Sequence, residues 1–204
     1  MGFLKRLLGL GPESARGCYR RGVAHLRNGE FEEALRDLSR AIERKPGYAL
    51  AYYSRGTAHD DKGDSDAAIR DYTKVTELKP KWADTYYDRG LAYYRRGDYD
   101  SAIGDFDKAI QMRSWHAKAY HDRGHAYDRK GDRDRAIRDY DKAIEINPSF
   151  AEAYYSRALL HADRGIRSGD YSAAWADVEA CRRLGYKVNP EFLSLLHGAS
   201  GREE

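Results

Sequence analysis

Apolar and small residues return along this chain at helical spacing and in blocks of constant length. Tyr52, Gly56 and His59 stand at i, i+4 and i+7, and Ala68, Tyr72 and Val75 repeat that spacing. Each set is the stripe of an amphipathic helix. Between them lies Lys62-Gly63-Asp64, where glycine suits a left-handed helix stop and aspartate suits the cap of the next helix. The blocks then recur. Gly22, Gly56, Gly90 and Gly124 are each 34 apart, as are Gly29, Gly63, Gly97 and Gly131, and Ala34, Ala68, Ala102 and Ala136 keep the same step. Pro46 and Pro80 are 34 apart, and Pro148 falls 68 after Pro80. Counting a unit from Ala15 gives repeats 15–48, 49–82, 83–116, 117–150 and a fifth over 151–188. In the fifth, Ala158 takes the glycine position, and four extra residues within Arg164 to Ser168 delay the next glycine to Gly169. Four residues are about one helical turn, so the insertion is expected to lengthen the first helix or its turn without rotating the face that follows.

Small residues at unit positions 8, 20 and 27 let the two helices of a unit approach closely, with Tyr, Phe or Leu at position 24 filling the space beside them. This period and its order of Gly, Tyr, Ala, aromatic, Ala and Pro resemble the tetratricopeptide repeat family over about residues 15–188. The resemblance implies an all-α, right-handed α-solenoid of five helix pairs, with the first helices lining a concave surface. A capping helix is expected over 189–197, where Pro190 precedes Phe192, Leu193, Leu195 and Leu196, and a disordered tail over 198–204. Local departures exist: Ser114 and Tyr186 replace the closing proline, and Cys181 replaces an alanine.

Position 7 is always Arg (Arg21, Arg55, Arg89, Arg123, Arg157) and position 23 always Asp (Asp37, Asp71, Asp105, Asp139, Asp177). Because the pair recurs with the scaffold period, it predicts a structural ladder of planar guanidinium–carboxylate pairs, within a unit or between neighbours.

The exposed stripe of the first helices falls at positions 2, 5, 9 and 12, with 6 at its margin. It places Tyr19, Tyr53, Tyr87, His121 and Tyr155 in one row, Leu91 and His125 in a second, and Asp60, Tyr94 and Asp128 in a third, with Asp88 and Asp122 beside them. Tyrosine offers large contact area with few rotors and one hydroxyl. These residues predict a tyrosine-lined groove holding a peptide or protein segment, with the carboxylates favouring Lys or Arg in the partner. Some family members bind acidic tails through a clamp of Lys, Asn and Arg; here Tyr with Val, Thr or Leu stands at those positions, so that role is not expected.

The charge balance is 36 Lys+Arg against 33 Asp+Glu. Such a near-neutral chain is not expected to bind nucleic acid through bulk charge. Two cysteines, Cys18 and Cys181, form no metal-ligand spacing and sit at packing positions; a reducing, cytoplasmic location is expected. No apolar run approaches the roughly 20 residues of a membrane span. Residues 1–14 form an amphipathic segment, Phe3, Leu4, Leu7, Leu8 and Leu10 around Lys5 and Arg6. Residues 1–11 could cap the first repeat, dock into a partner, or lie on a membrane surface, which gives the alternative of a membrane-tethered scaffold. His121-Asp122-Arg123-Gly124-His125 superficially resembles the HExxH zinc helix. Both histidines fall on ordinary repeat positions and no third ligand can be named, so no metal, cofactor or catalytic site is expected; metal binding through this pair is the remote alternative. No glycine-rich phosphate loop or nucleophile elbow is present.

Overall fold

A computed structural model describes residues 14–201. The amphipathic segment expected over 1–14 lies outside the described residues, apart from Ser14. Eleven helices, and no strand, occur among the described residues. They fall into two compact units, Met1–Met112 and Arg113–Glu204.

The first unit holds α1 (Ala15–Arg27), α2 (Phe31–Arg44), α3 (Ala49–Asp61), α4 (Ser65–Leu78), α5 (Ala83–Arg96) and α6 (Tyr99–Met112). The second holds α7 (Ala117–Arg129), α8 (Arg133–Ile146), α9 (Ala151–Ser168), α10 (Ser172–Arg183) and α11 (Pro190–Ser200). Within each unit a helix packs chiefly against its neighbours in sequence, the stacking of an α-solenoid.

Local signals explain the boundaries. Gly63 and Gly97 stop their helices at φ of 82° and 85°, a conformation that costs most other residues. Asp64 then accepts from the Ala67 N–H at 3.0 Å, and Asp98 from the Ser101 N–H at 3.1 Å, each opening the next helix. Ser14 caps α1 through the Gly17 N–H at 3.0 Å. The insertion lengthens α9 to 18 residues, against 13 or 14 in the other first helices.

The glycine at position 8 is a packing requirement. A Cβ on Gly56 would lie 2.8 Å from the Tyr72 ring, one on Gly90 2.8 Å from Phe106, and one on Gly124 2.7 Å from Tyr140. In the fifth repeat Ala158 faces a core that contains Val178 instead of an aromatic ring. The smaller partner makes room for the extra methyl.

The arginine–aspartate ladder forms in every repeat, and each pair is bidentate. Arg55 donates to Asp71 at 2.8 and 2.7 Å, Arg89 to Asp105 at 2.7 and 2.8 Å, and Arg123 to Asp139 at 2.8 and 2.6 Å. Arg21 with Asp37 and Arg157 with Asp177 complete it. The third nitrogen reaches back one repeat: Arg55 Nη1 donates to Ser39 Oγ and Arg89 Nη1 to Thr73 Oγ1, both at 3.1 Å. The ladder therefore joins helices within a repeat and repeats to one another.

The C-terminal end differs from expectation in two respects. Helix α11 continues to Ser200, so residues 198–200 are helical where a disordered tail is expected. Of its apolar residues only Leu196 is buried, beside Trp175 and Val188; Leu195 is 74% exposed. Buried Trp175 donates its Nε1–H to Ser200 Oγ at 3.1 Å.

Candidate functional site

The first helices carry the predicted groove residues, and each unit presents its own set. In the first unit, Tyr19 packs on Tyr48 with ring centroids 5.1 Å apart, Tyr53 on Tyr72 at 5.7 Å, and Tyr87 on Phe106 at 5.9 Å. Tyr48 immediately precedes α3, while Tyr72 and Phe106 belong to the second helices α4 and α6; leaning on these rings holds the position-5 rings in place while leaving them partly accessible. Leu91 and Tyr94 on α5 are half-buried, and the Tyr94 ring lies 5.4 Å from Tyr99.

The carboxylates of this unit are engaged with the protein itself. Tyr53 Oη donates to Asp88 on the next first helix. Arg95 on α5 donates to Asp60 on α3 through both carboxylate oxygens. Burial pushes the Asp88 carboxyl up to about 6; neighbouring Asp84 and Asp60 add to the rise, and the Tyr53 hydrogen bond and Arg95 oppose it. Burial likewise drives the Tyr53 phenol above its usual range, so it remains a donor.

In the second unit the residue types change. His121 and His125 stand edge to face with centroids 4.4 Å apart. His121 Nδ1 lies 3.1 Å from Asp122 Oδ1, and its Nε2 lies 3.2 Å from Ser156 Oγ on α9. Tyr140 Oη lies 3.2 Å from His125 Nδ1. Burial lowers the His125 pKa to about 4, with the His121 ring adding to the drop and Asp122 opposing it, so the ring is neutral at physiological pH. Asp128 lies at the limit of ion pairing with Arg133, 4.0 Å away. Tyr155 is flanked by Tyr186 and by Phe192 of α11, at 5.5 and 5.8 Å.

Sequence reasoning missed position 6 as a contact position: Ser54 and Ser156 are buried there. Tyr53–Asp88, Asp60–Arg95 and His121–Ser156 are all separated by 35 residues. A spacing of one period plus one is the signature of adjacent first helices, and it could have exposed these pairs. It also missed an apolar groove of about 230 Å³ between α9 and α11, lined by Leu159, Ile166, Phe192 and Leu195 among others. Cys18 and Cys181 are buried thiols outside any disulfide, and burial raises Cys181 to about 11, which makes it a poor nucleophile. Among the described residues no three His, Cys, Asp or Glu side chains form a metal-holding group, and no helix is long and apolar enough to cross a membrane.

Three family models described as tetratricopeptide repeat match the chain, one at 4–49, 19–82 and 53–115, a second at 117–150 and a third at 139–176. No curated protein matches it. Among solved structures, the fold is similar to that of MamA, with a TM-score of 0.76 and 27% identity over 88% of this chain and 100% of that one. MamA of Desulfovibrio magneticus RS-1, from residue 41 to its end, gives 0.77 and 23% over 84% of this chain and 94% of that one. YrrB, described as a TPR protein with an unusual peptide-binding site, gives 0.75 and 20% over 97% of each chain; at that identity the likeness is one of fold. With one of these models spanning more than half of the sequence and the helix pairs in place, the chain belongs to the tetratricopeptide repeat family.

Proposed function

We propose that the protein is a non-catalytic scaffold that holds a protein or peptide segment on the aromatic face of its first helices. The observation that carries this reading is the row of partly accessible aromatic rings on α1, α3 and α5, each braced by a neighbouring aromatic ring. Rings fixed in this way lose little rotamer entropy on binding, which suits them to be anchors. The peptide-binding description of YrrB supports the same use of the fold. Charge has a smaller part than the sequence implies, because a partner's Lys or Arg must displace Arg95 to reach Asp60. The same reading makes the protein a cytoplasmic adaptor or assembly factor. Membrane tethering through residues 1–11 rests on sequence alone, and no described contact favours it.

The test captures partners from native cell extract and then measures the affinity of each purified partner for wild type and for a Tyr87→Ala/Tyr94→Ala protein. Both must show the same helical circular dichroism. Loss of two anchor residues is expected to weaken binding at least about tenfold, since such anchors commonly contribute 1–2 kcal/mol or more each. Unchanged affinity overturns the assignment to this face.

A further inference from the structure

Three donor atoms of the second unit converge on one point. His121 Nε2 and His125 Nε2 are 3.2 Å apart, His121 Nε2 and Ser156 Oγ are 3.2 Å apart, and His125 Nε2 and Ser156 Oγ are 3.3 Å apart. The triangle is almost equilateral. An ion held about 2.0–2.1 Å from each donor, the usual imidazole–zinc distance, sits just above its centre. Histidines at i and i+4 project from one face of a helix, and α9 brings the hydroxyl from the neighbouring first helix.

The outer nitrogens are equally well placed. His121 Nδ1 faces Asp122 Oδ1 at 3.1 Å and His125 Nδ1 faces Tyr140 Oη at 3.2 Å. When both Nδ1–H groups donate to these acceptors, both Nε2 lone pairs point inward. An acceptor on the far nitrogen is the second-shell arrangement that orients metal-bound histidines and raises their basicity. In that pair of tautomers Ser156 has one proton for two facing lone pairs; a cation satisfies both. Phe150 and Tyr140 pack on the His121 ring with centroids at 4.8 and 5.6 Å, so the ligand is held in its rotamer. Asp122 places a carboxylate beside the site.

We infer that His121, His125 and Ser156 form a binding site for one divalent first-row transition-metal ion. Two imidazoles and a hydroxyl match zinc, nickel or copper better than calcium or magnesium. The inference does not depend on the peptide-binding proposal, because it concerns a different ligand and residues of the second unit, whereas that proposal rests on the rings of α1, α3 and α5.

The experiment titrates the full chain with Zn²⁺ and Ni²⁺ in competition with a chromophoric chelator, and follows thermal unfolding with and without metal. Wild type is expected to bind one equivalent and to melt at a higher temperature when loaded. His121→Gln and His125→Gln should each abolish that equivalent. Asp122→Ala leaves the ligands intact and should weaken binding about tenfold or more by removing the acceptor that orients the His121 ring; it decides the matter if a histidine variant fails to fold. Absence of a stoichiometric equivalent in wild type, or equal uptake by the His121→Gln/His125→Gln protein, overturns the site. Equal uptake would assign the metal to the other histidines of the chain.

Discussion

A carboxylate such as Asp88 looks, in the sequence, like bait for a partner's cation. In the folded chain it accepts from Tyr53 and is held partly out of water. Its pKa rises from the ordinary 3.8 to about 6, so between these values the folded chain keeps a proton that the unfolded chain has released. Stability contributed by Asp88 is therefore fully present below the unfolded value and is lost as pH rises through about 6. Asp88→Asn cannot titrate and keeps an acceptor for the Tyr53 hydroxyl. Relative to wild type, its melting temperature should climb as pH goes from about 4 to about 7, and melts across that range check it. A constant difference would mean that folding does not raise the Asp88 pKa. The placement of these residues on the first helices was legible in the period. Their engagements were not, because Tyr53–Asp88, Asp60–Arg95 and His121–Ser156 depend on how one helix is rotated against the next. The convergence of Ser156 on the two histidines is hidden for the same reason: a serine 31 residues beyond His125 carries no metal-ligand spacing.

Helices and their pairing were far more legible. Through the first four repeats a 34-residue step returns the glycine stop and the small packing residues, and the ladder forms where the matched Arg and Asp columns imply. Even the insertion follows the argument. Arg157 and Asp177 are 20 residues apart instead of 16, yet they pair at 3.0 and 2.6 Å like the others, because one added turn leaves the face unrotated. The fifth repeat also shows that positions 8 and 24 are one unit of packing. Gly90→Ala places a methyl 2.8 Å from Phe106, and such overpacking costs about 1–3 kcal/mol, offset in part by alanine's better helix propensity. Phe106→Val alone leaves a cavity around a fully buried site. The double variant recreates the Ala158–Val178 solution. Its loss of stability in urea unfolding should be smaller than the sum of the single losses by about 1 kcal/mol or more. Strict additivity would mean that the ring and the glycine are not coupled.

For the molecule as a whole, stacked repeats place stability in nearest-neighbour interfaces, so an end needs a cover. Helix α11 is that cover: Leu196 seals a core of Trp175, Val178, Cys181 and Val188, and Phe192 and Leu193 pack against it. The sequence announced the helix through Pro190 and its leucines, but it could not show that Leu195, Ile166 and Leu159 stay exposed. That depends on the tilt of α11 over the lengthened α9, which no repeat position encodes. A chain ending at Val188 loses this cover. Its Trp175 then loses both the apolar lid and the Ser200 hydrogen bond. Losing the burial of one large side chain such as Leu196 alone costs about 2–5 kcal/mol, enough to open a terminal repeat that is then held only by its packing on the fourth repeat. Amide hydrogen exchange should therefore accelerate strongly in α10 and the C-terminal half of α9. Exchange in α1 to α4 should match the full-length chain, because no interface of those helices has changed. Uniform acceleration along the chain would mean that the repeats unfold as one cooperative block. Unchanged protection in α10 would mean that α11 covers nothing the fifth repeat needs.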